Sequence, residues 1–148
     1  MKGNEKLLLG WREWLALPEL GIHRIKAKID TGARTSALHT FGVEPYEREG
    51  VLRVRFWVHP LQRVDSVEIC CEARVLDRRT VRDSGGHEEE RYVIRTRVQV
   101  AQACWPIEVT LTDRDSMGFR MLLGRTAIRR RYLVDPGRSY LADQKGEA

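Results

Sequence analysis

The chain has 148 residues, of which 42% are hydrophobic and 32% charged, and its formal net charge is +5. Such a length accommodates one domain, residues 1–148, with a real core. The longest leucine run, Leu7-Leu8-Leu9, is far too short for a membrane span or a secretory leader, so a cytoplasmic protein with an acidic partner is expected.

Residues 10–18 alternate loosely and stop at Pro18, which predicts a strand and a turn. Residues 22–29 alternate apolar and basic side chains, a half-exposed strand that runs into Asp30. Residues 35–41 resume as a strand, and 44–50 are polar and read as a turn. Residues 51–58 form a strong period-two strand closed by Pro60. Residues 67–76 and 92–103 read as the arms of a long hairpin, with the turn-rich Arg82-Asp83-Ser84-Gly85-Gly86-His87-Glu88 between them. Short strands are expected over 107–112 and 119–123, and the one helical segment over 126–132. Val134-Asp135-Pro136-Gly137 closes the fold. The class is mostly β, a closed or partly closed barrel with one short C-terminal helix.

The stretch that carries chemistry is Ala27-Lys28-Ile29-Asp30-Thr31-Gly32-Ala33-Arg34-Thr35-Ser36-Ala37-Leu38. A carboxylate ends a β-prone run and is followed by a hydroxyl, a glycine and a small apolar residue. That order suits a tight turn presenting an ionisable group, because glycine leaves room for close approach. Far downstream, Met121-Leu122-Leu123-Gly124-Arg125 is an apolar strand ending in Gly-Arg. Hydrolysing an amide with carboxylates alone needs two of them close together, one holding a proton while the other activates water. One Asp-Thr-Gly supplies half of that pair, so peptidase chemistry would require a C2 homodimer. Asp83-Ser84-Gly85 resembles a second such motif, but no apolar strand leads into it, and it reads as a hairpin turn.

Gly10-Trp11-Arg12-Glu13-Trp14, the Asp30 stretch, Asp83-Ser84-Gly85-Gly86 and residues 121–125 together resemble the bacterial retropepsin-like aspartic peptidase family. This family is also called RimB-like and is often labelled "ATP-dependent zinc protease". One member is implicated in processing the glutamate tail that an ATP-grasp ligase adds to a ribosomal protein. The resemblance implies a homodimer acting on an acidic peptide or glutamate-tailed protein, with Asp30 as the catalytic carboxylate. It implies that Thr31 bonds across the dimer axis and that Gly32, followed by Ala33, lets the chains approach. Leu122, Leu123 and Gly124 would cross beneath the loop, with Arg125 tying the next helix to it. Viral relatives place an acidic residue after Asp-Thr-Gly-Ala to pair with that arginine. Here the position is Arg34, so that ion pair cannot form: either the dimer contact is rebuilt or Arg34 faces a substrate carboxylate, the role assigned to it.

No cofactor or metal is expected. His23, His39, His59 and His87 lack ligand spacing, Cys70-Cys71 lacks the residues that separate zinc ligands, and Gly85-Gly86 lacks a phosphate-loop lysine. ATP dependence would reside in a partner. With Cys104 the cysteines number three, a poor disulfide framework, and are read as small buried hydrophobes. Trp11, Trp14, Trp57 and Trp105 are read as core or interface aromatics, and Arg129-Arg130-Arg131 as the outer face and end of the helix. Basic residues are interspersed along strands rather than gathered into a tract, so nucleic acid is not the expected partner. The competing functional reading is a catalytically silent binding module of the same fold, working with a ligase or in a stress pathway. A basic ribosome-associated RNA binder is a third.

Overall fold

The computed structural model describes residues 7–61, 67–82, 85–113 and 118–142. After the short β1 (Leu7–Leu9), β2 (Arg12–Leu17) turns Leu15 and Leu17 inward and Arg12 and Trp14 outward, as strand periodicity demands. A 3-10 turn over Pro18–Leu20 is closed by Gly21 at φ 75°. β3 (Ile22–Asp30) then returns antiparallel to β2, burying Ile25, Ala27 and Ile29. β4 (Ser36–His39), β5 (Val43–Arg48), β6 (Val51–Val58), β7 (Ile69–Arg74), β8 (Asp77–Arg82), β9 (Glu88–Val100) and β10 (Ala103–Thr112) follow. The chain continues through β11 (Met121–Gly124) directly into α1 (Arg125–Ile128), then β12 (Tyr132–Val134).

The main sheet runs β10-β4-β11-β3-β2-β9-β8, and β9 also pairs with β10, so the sheet closes into a ring. β5, β6 and β7 form a second, antiparallel sheet, and β1 pairs in parallel with β12. The ring encloses Ile25, Ile29, Leu38, Val98, Met121 and Leu123, and Phe56 of β6 is buried in the same core. The fold is thus mostly β and of retropepsin-like barrel form, and its helix α1 is short.

Several local expectations differ from this structure. Of residues 44–50, expected as a turn, only Glu49 and Gly50 form one, and 44–48 belong to strand β5. Their register on β6 is supported by polar contacts across the sheet: Tyr46 donates to Glu72, and Arg55 lies 3.9 Å from Glu44 and 3.7 Å from Glu72. An edge strand can be this polar because one side faces water, and Pro45 is tolerated there. The long hairpin begins at Asp77, not at 67, since β7 pairs with β6 while β8 pairs with β9. Gly85 and Gly86 lie in its turn, with Gly86 at φ 86°, whereas Asp83 and Ser84 fall outside the described residues. The helix is shorter than expected and starts one residue earlier. Arg129, Arg130 and Arg131 follow it as an exposed turn, Arg130 at φ 70°, rather than forming its outer face.

Cys71 is buried, and burial pushes its thiol pKa up to about 12. Cys70 and Cys104 are exposed, contrary to their reading as buried hydrophobes. Neighbours on a strand point to opposite faces, so adjacent cysteines cannot share one fate. Among the tryptophans Trp105 is buried, while Trp11, Trp14 and Trp57 are half-buried.

Candidate active site

β11 is a short apolar run, buried except at Leu122, and it threads between two strands. It lies parallel to β3, with Gly124 beside Asp30, and antiparallel to β4, with Met121 beside Leu38. This threading brings residues ninety positions apart into one layer. Leu123 and Gly124 are buried beneath the loop that follows Asp30, and Leu122 is half-buried on the outward face.

The loop holds its shape through backbone bonds at both ends. The Gly32 and Ala33 amides donate to the same Asp30 oxygen, Oδ1, at 3.0 and 3.2 Å. The Asp30 side chain thus closes a local turn over its own strand end. Its other oxygen accepts no hydrogen bond from the described residues, and the side chain is half-exposed. From the far side, the Arg125 amide donates to the Ala33 carbonyl at 2.7 Å and the Thr126 amide to the Arg34 carbonyl at 3.0 Å. The start of α1 is therefore bonded to the loop rather than left open. The Arg125 guanidinium donates to the Thr31 carbonyl at 3.0 Å. A backbone oxygen takes the place of the absent acidic partner.

Gly124 is required by close approach: a Cβ there would stand 2.6 Å from the Thr35 carbonyl carbon. Its amide donates to Ser36 Oγ at 3.0 Å, and Thr126 Oγ1 donates to the Arg34 carbonyl at 2.9 Å. Gly32 is less constrained, a Cβ meeting Asp30 Oδ1 at 3.3 Å. Thr31, Gly32 and Arg34 are exposed and Ala33 is half-buried. The structure therefore assembles Asp30, Thr31, Gly32, Ala33, Arg34, Leu122, Leu123, Gly124 and Arg125 in one place. Sequence reasoning missed Ser36 and Thr126, two hydroxyls whose roles exist only once β11 is threaded.

It also missed Glu13. This carboxylate is fully buried, and accepts from the amides of Gly10 at 2.7 Å, Leu141 at 2.9 Å and Ala142 at 3.2 Å. The signal was available: Glu13 occupies the inward parity of β2, beside Leu15 and Leu17, where a charge requires buried donors.

Among the described residues no group of three or more His, Cys, Asp or Glu side chains could hold a metal ion, and no helix is long and apolar enough to cross a membrane. Neither the Asp30 loop nor β11 and α1 contains a second carboxylate. What the arrangement offers chemically is one oriented, water-accessible carboxylate on a braced loop.

The chain matches the model of the RimB-like family, described as retropepsin-like aspartic endopeptidase RimB, over residues 8–145. A relative from Shewanella pealeana is 45% identical over 97% of this chain, and one from Parasynechococcus marenigrum is 50% identical over 93%. Both are named probable alpha-L-glutamate ligase. The match covers 31% and 29% of their lengths, so the chain spans less than a third of the curated relatives it resembles. A crystal structure of a Legionella pneumophila protein of unknown function superposes with a TM-score of 0.76 at 24% identity, covering 93% of this chain and 99% of that one, a likeness of fold. With its barrel, its threaded Gly-Arg strand and a family match spanning nearly its whole length, the chain belongs to the RimB-like, retropepsin-like family.

Proposed function

We propose that the chain is an aspartic-type hydrolase, acting as a two-fold homodimer on amide bonds of an acidic peptide, with glutamate-tailed proteins as the substrate class. The observation that carries this reading is the lone Asp30 carboxylate, oriented through one oxygen on a braced loop with no second carboxylate in that loop or in β11 and α1. A symmetry mate would supply the missing half. One Asp30 would take a proton from water as its oxygen bonds to the amide carbon. The other would give a proton to the nitrogen as the carbon–nitrogen bond breaks, leaving an acid and an amine. Exposed Thr31 and Gly32 at the loop tip suit a contact across the axis. Arg34, exposed and four residues beyond Asp30, is assigned a substrate carboxylate. The acidic substrate is supported by the chain's positive charge and by the ligase names of its relatives. The proposed setting is the cytoplasm, with any ATP dependence in a partner.

A second reading is favoured by one specific fact: in the ligase-named relatives the matched region is under a third of a longer chain. A catalytically silent module that presents the acidic tail to a ligase would fit that arrangement. Turnover of oligoglutamate by the purified chain, beside Asp30→Asn, separates the two. Hydrolysis lost in the variant supports the peptidase, and binding without hydrolysis by the unmodified chain supports the module.

A further inference from the structure

The outward face of β3 carries Arg24, Lys26, Lys28 and Asp30 at every second position, three cations in line ending at the carboxylate. Successive same-face side chains of a strand are about 6.6–7 Å apart, so the row spans roughly 20 Å. Across β2, Arg12 stands beside Lys28 and Trp14 beside Lys26, while Leu122 of β11 flanks Lys28 from the other side. The acidic residue of β2, Glu13, points the opposite way, into the core.

Arg24 and Lys26 of the row, and Arg12 beside it, are held on aromatic faces. The Arg24 guanidinium lies 4.3 Å and the Lys26 ammonium 5.2 Å from the Trp14 ring centre. Tyr140 stacks on Trp14 at 6.3 Å and 19°, and Arg12 reaches both Trp11 at 4.7 Å and Tyr140 at 5.0 Å. Tyr140 holds this position from a left-handed backbone, φ 58°, with its amide donating to the Arg12 carbonyl. Side chains seated in this way lose less freedom when they bind an anion than solvated ones do. At the end remote from Asp30, Trp14 and Arg24 also line a groove of about 290 Å3.

We propose that this row is an extended subsite for the acidic substrate: a peptide lying along β3 would place alternate carboxylates over Lys28, Lys26 and Arg24, delivering the adjoining amide to Asp30. An extended peptide repeats its side chains with the same period as the strand beneath it, so charge and spacing match together. Lys28, nearest Asp30, reads the carboxylate next to the reacting bond. The row is separate from Arg34, which lies beyond Asp30 on the loop. The inference rests on the hydrolase reading for its direction, though not for binding itself.

The test uses the Asp30→Asn chain, which should bind without turnover, and a fluorescein-labelled oligo-L-glutamate long enough to cover the row, followed by anisotropy. Arg24→Gln, Lys26→Gln and Lys28→Gln should each weaken binding about three- to fivefold, and the triple variant on the order of thirtyfold or more. Lys26→Arg should keep affinity near that of the parent, and oligo-L-glutamine should bind poorly throughout. If a glutamine variant does not fold, the salt dependence of the parent chain reads the same contacts: affinity must fall steeply with added salt. A triple variant that binds like its parent, a salt-independent affinity, or oligouridylate that binds more tightly than oligoglutamate through these residues overturns the subsite. Failure of the hydrolase reading looks different: the unmodified chain does not cleave, yet row-dependent binding persists.

Discussion

Glu13 and Asp30 are carboxylates that each accept from more than one backbone amide, and their surroundings divide their roles. Glu13 is fully buried, and two of its three donors, Leu141 and Ala142, come from the other end of the chain. Asp30 is half-exposed and takes two donors from the three residues that follow it, both on one oxygen. The long-range set makes a clamp that ties the entry of β2 to residues 141–142. The local set makes a turn that aims the carboxylate and, among the described residues, puts no donor on its second oxygen. Each sits beside a glycine at a close approach. A Cβ at Gly10 would lie 2.2 Å from the Arg138 carbonyl oxygen, and one at Gly124 2.6 Å from the Thr35 carbonyl carbon. The same acceptor chemistry thus serves as a clamp at Glu13 and, in the proposed hydrolase, would serve reactivity at Asp30.

The comparison predicts opposite responses to removing each carboxylate. Glu13→Ala strands three buried donors and should cost on the order of 3–5 kcal/mol of folding free energy, measured by urea unfolding. Asp30→Asn should change stability by about 1 kcal/mol or less while lowering turnover of oligoglutamate by at least about three powers of ten. A Glu13 variant as stable as the parent, or an Asp30 variant that fails to fold, would dissolve the distinction.

Gly124→Ala joins both effects, because the added methyl meets backbone that cannot rotate away. We expect a loss of about 1–3 kcal/mol together with impaired turnover, since the Asp30 loop must shift to admit it. Arg125→Ala removes an exposed bond to the Thr31 carbonyl and should cost less, about 1 kcal/mol, with a looser loop seen as faster amide exchange at Gly32 and Ala33. The last effect is nil at neutral pH and appears only in alkali. The Cys71 thiol is raised from 9.0 to about 12 by burial, with Cys70 adding to it. The unfolded chain ionises first, so stability contributed below about pH 9 is lost as pH rises towards 12. Cys71→Ala should flatten that decline in urea midpoints. Cys70 and Cys104, both exposed, should alkylate in the native state while Cys71 does not.

Much of the Asp30 region was legible because its signals are local or lie in two short motifs. Alternation in 22–29 places Ile25, Ala27 and Ile29 inward, and the apolar run before Gly124 marks a strand. The bracing was not legible. Ser36 and Thr126 carry no chemistry until β11 passes between β3 and β4, and Arg125 meets the Thr31 carbonyl only after that threading. Residues 44–48 read as part of a turn because their polar side chains find partners on β6 and β7, which composition does not reveal. The helix was overextended because arginines are good helix formers, yet Arg129 already leaves helical geometry at ψ 143° and ends it, with Arg130 left-handed behind it. Glu13 could have been found by asking what a charge does on the apolar parity of a strand.

The central claim is that two chains each lend one Asp30 to a shared site. Subunit mixing tests it most directly: wild-type and Asp30→Asn chains are refolded together in varying proportion, and oligoglutamate hydrolysis is followed at constant total protein. If both carboxylates are needed, activity falls as the square of the wild-type fraction, to about one quarter at equal mixing. Activity that falls linearly, to about one half, would show each wild-type chain acting alone and would contradict the account.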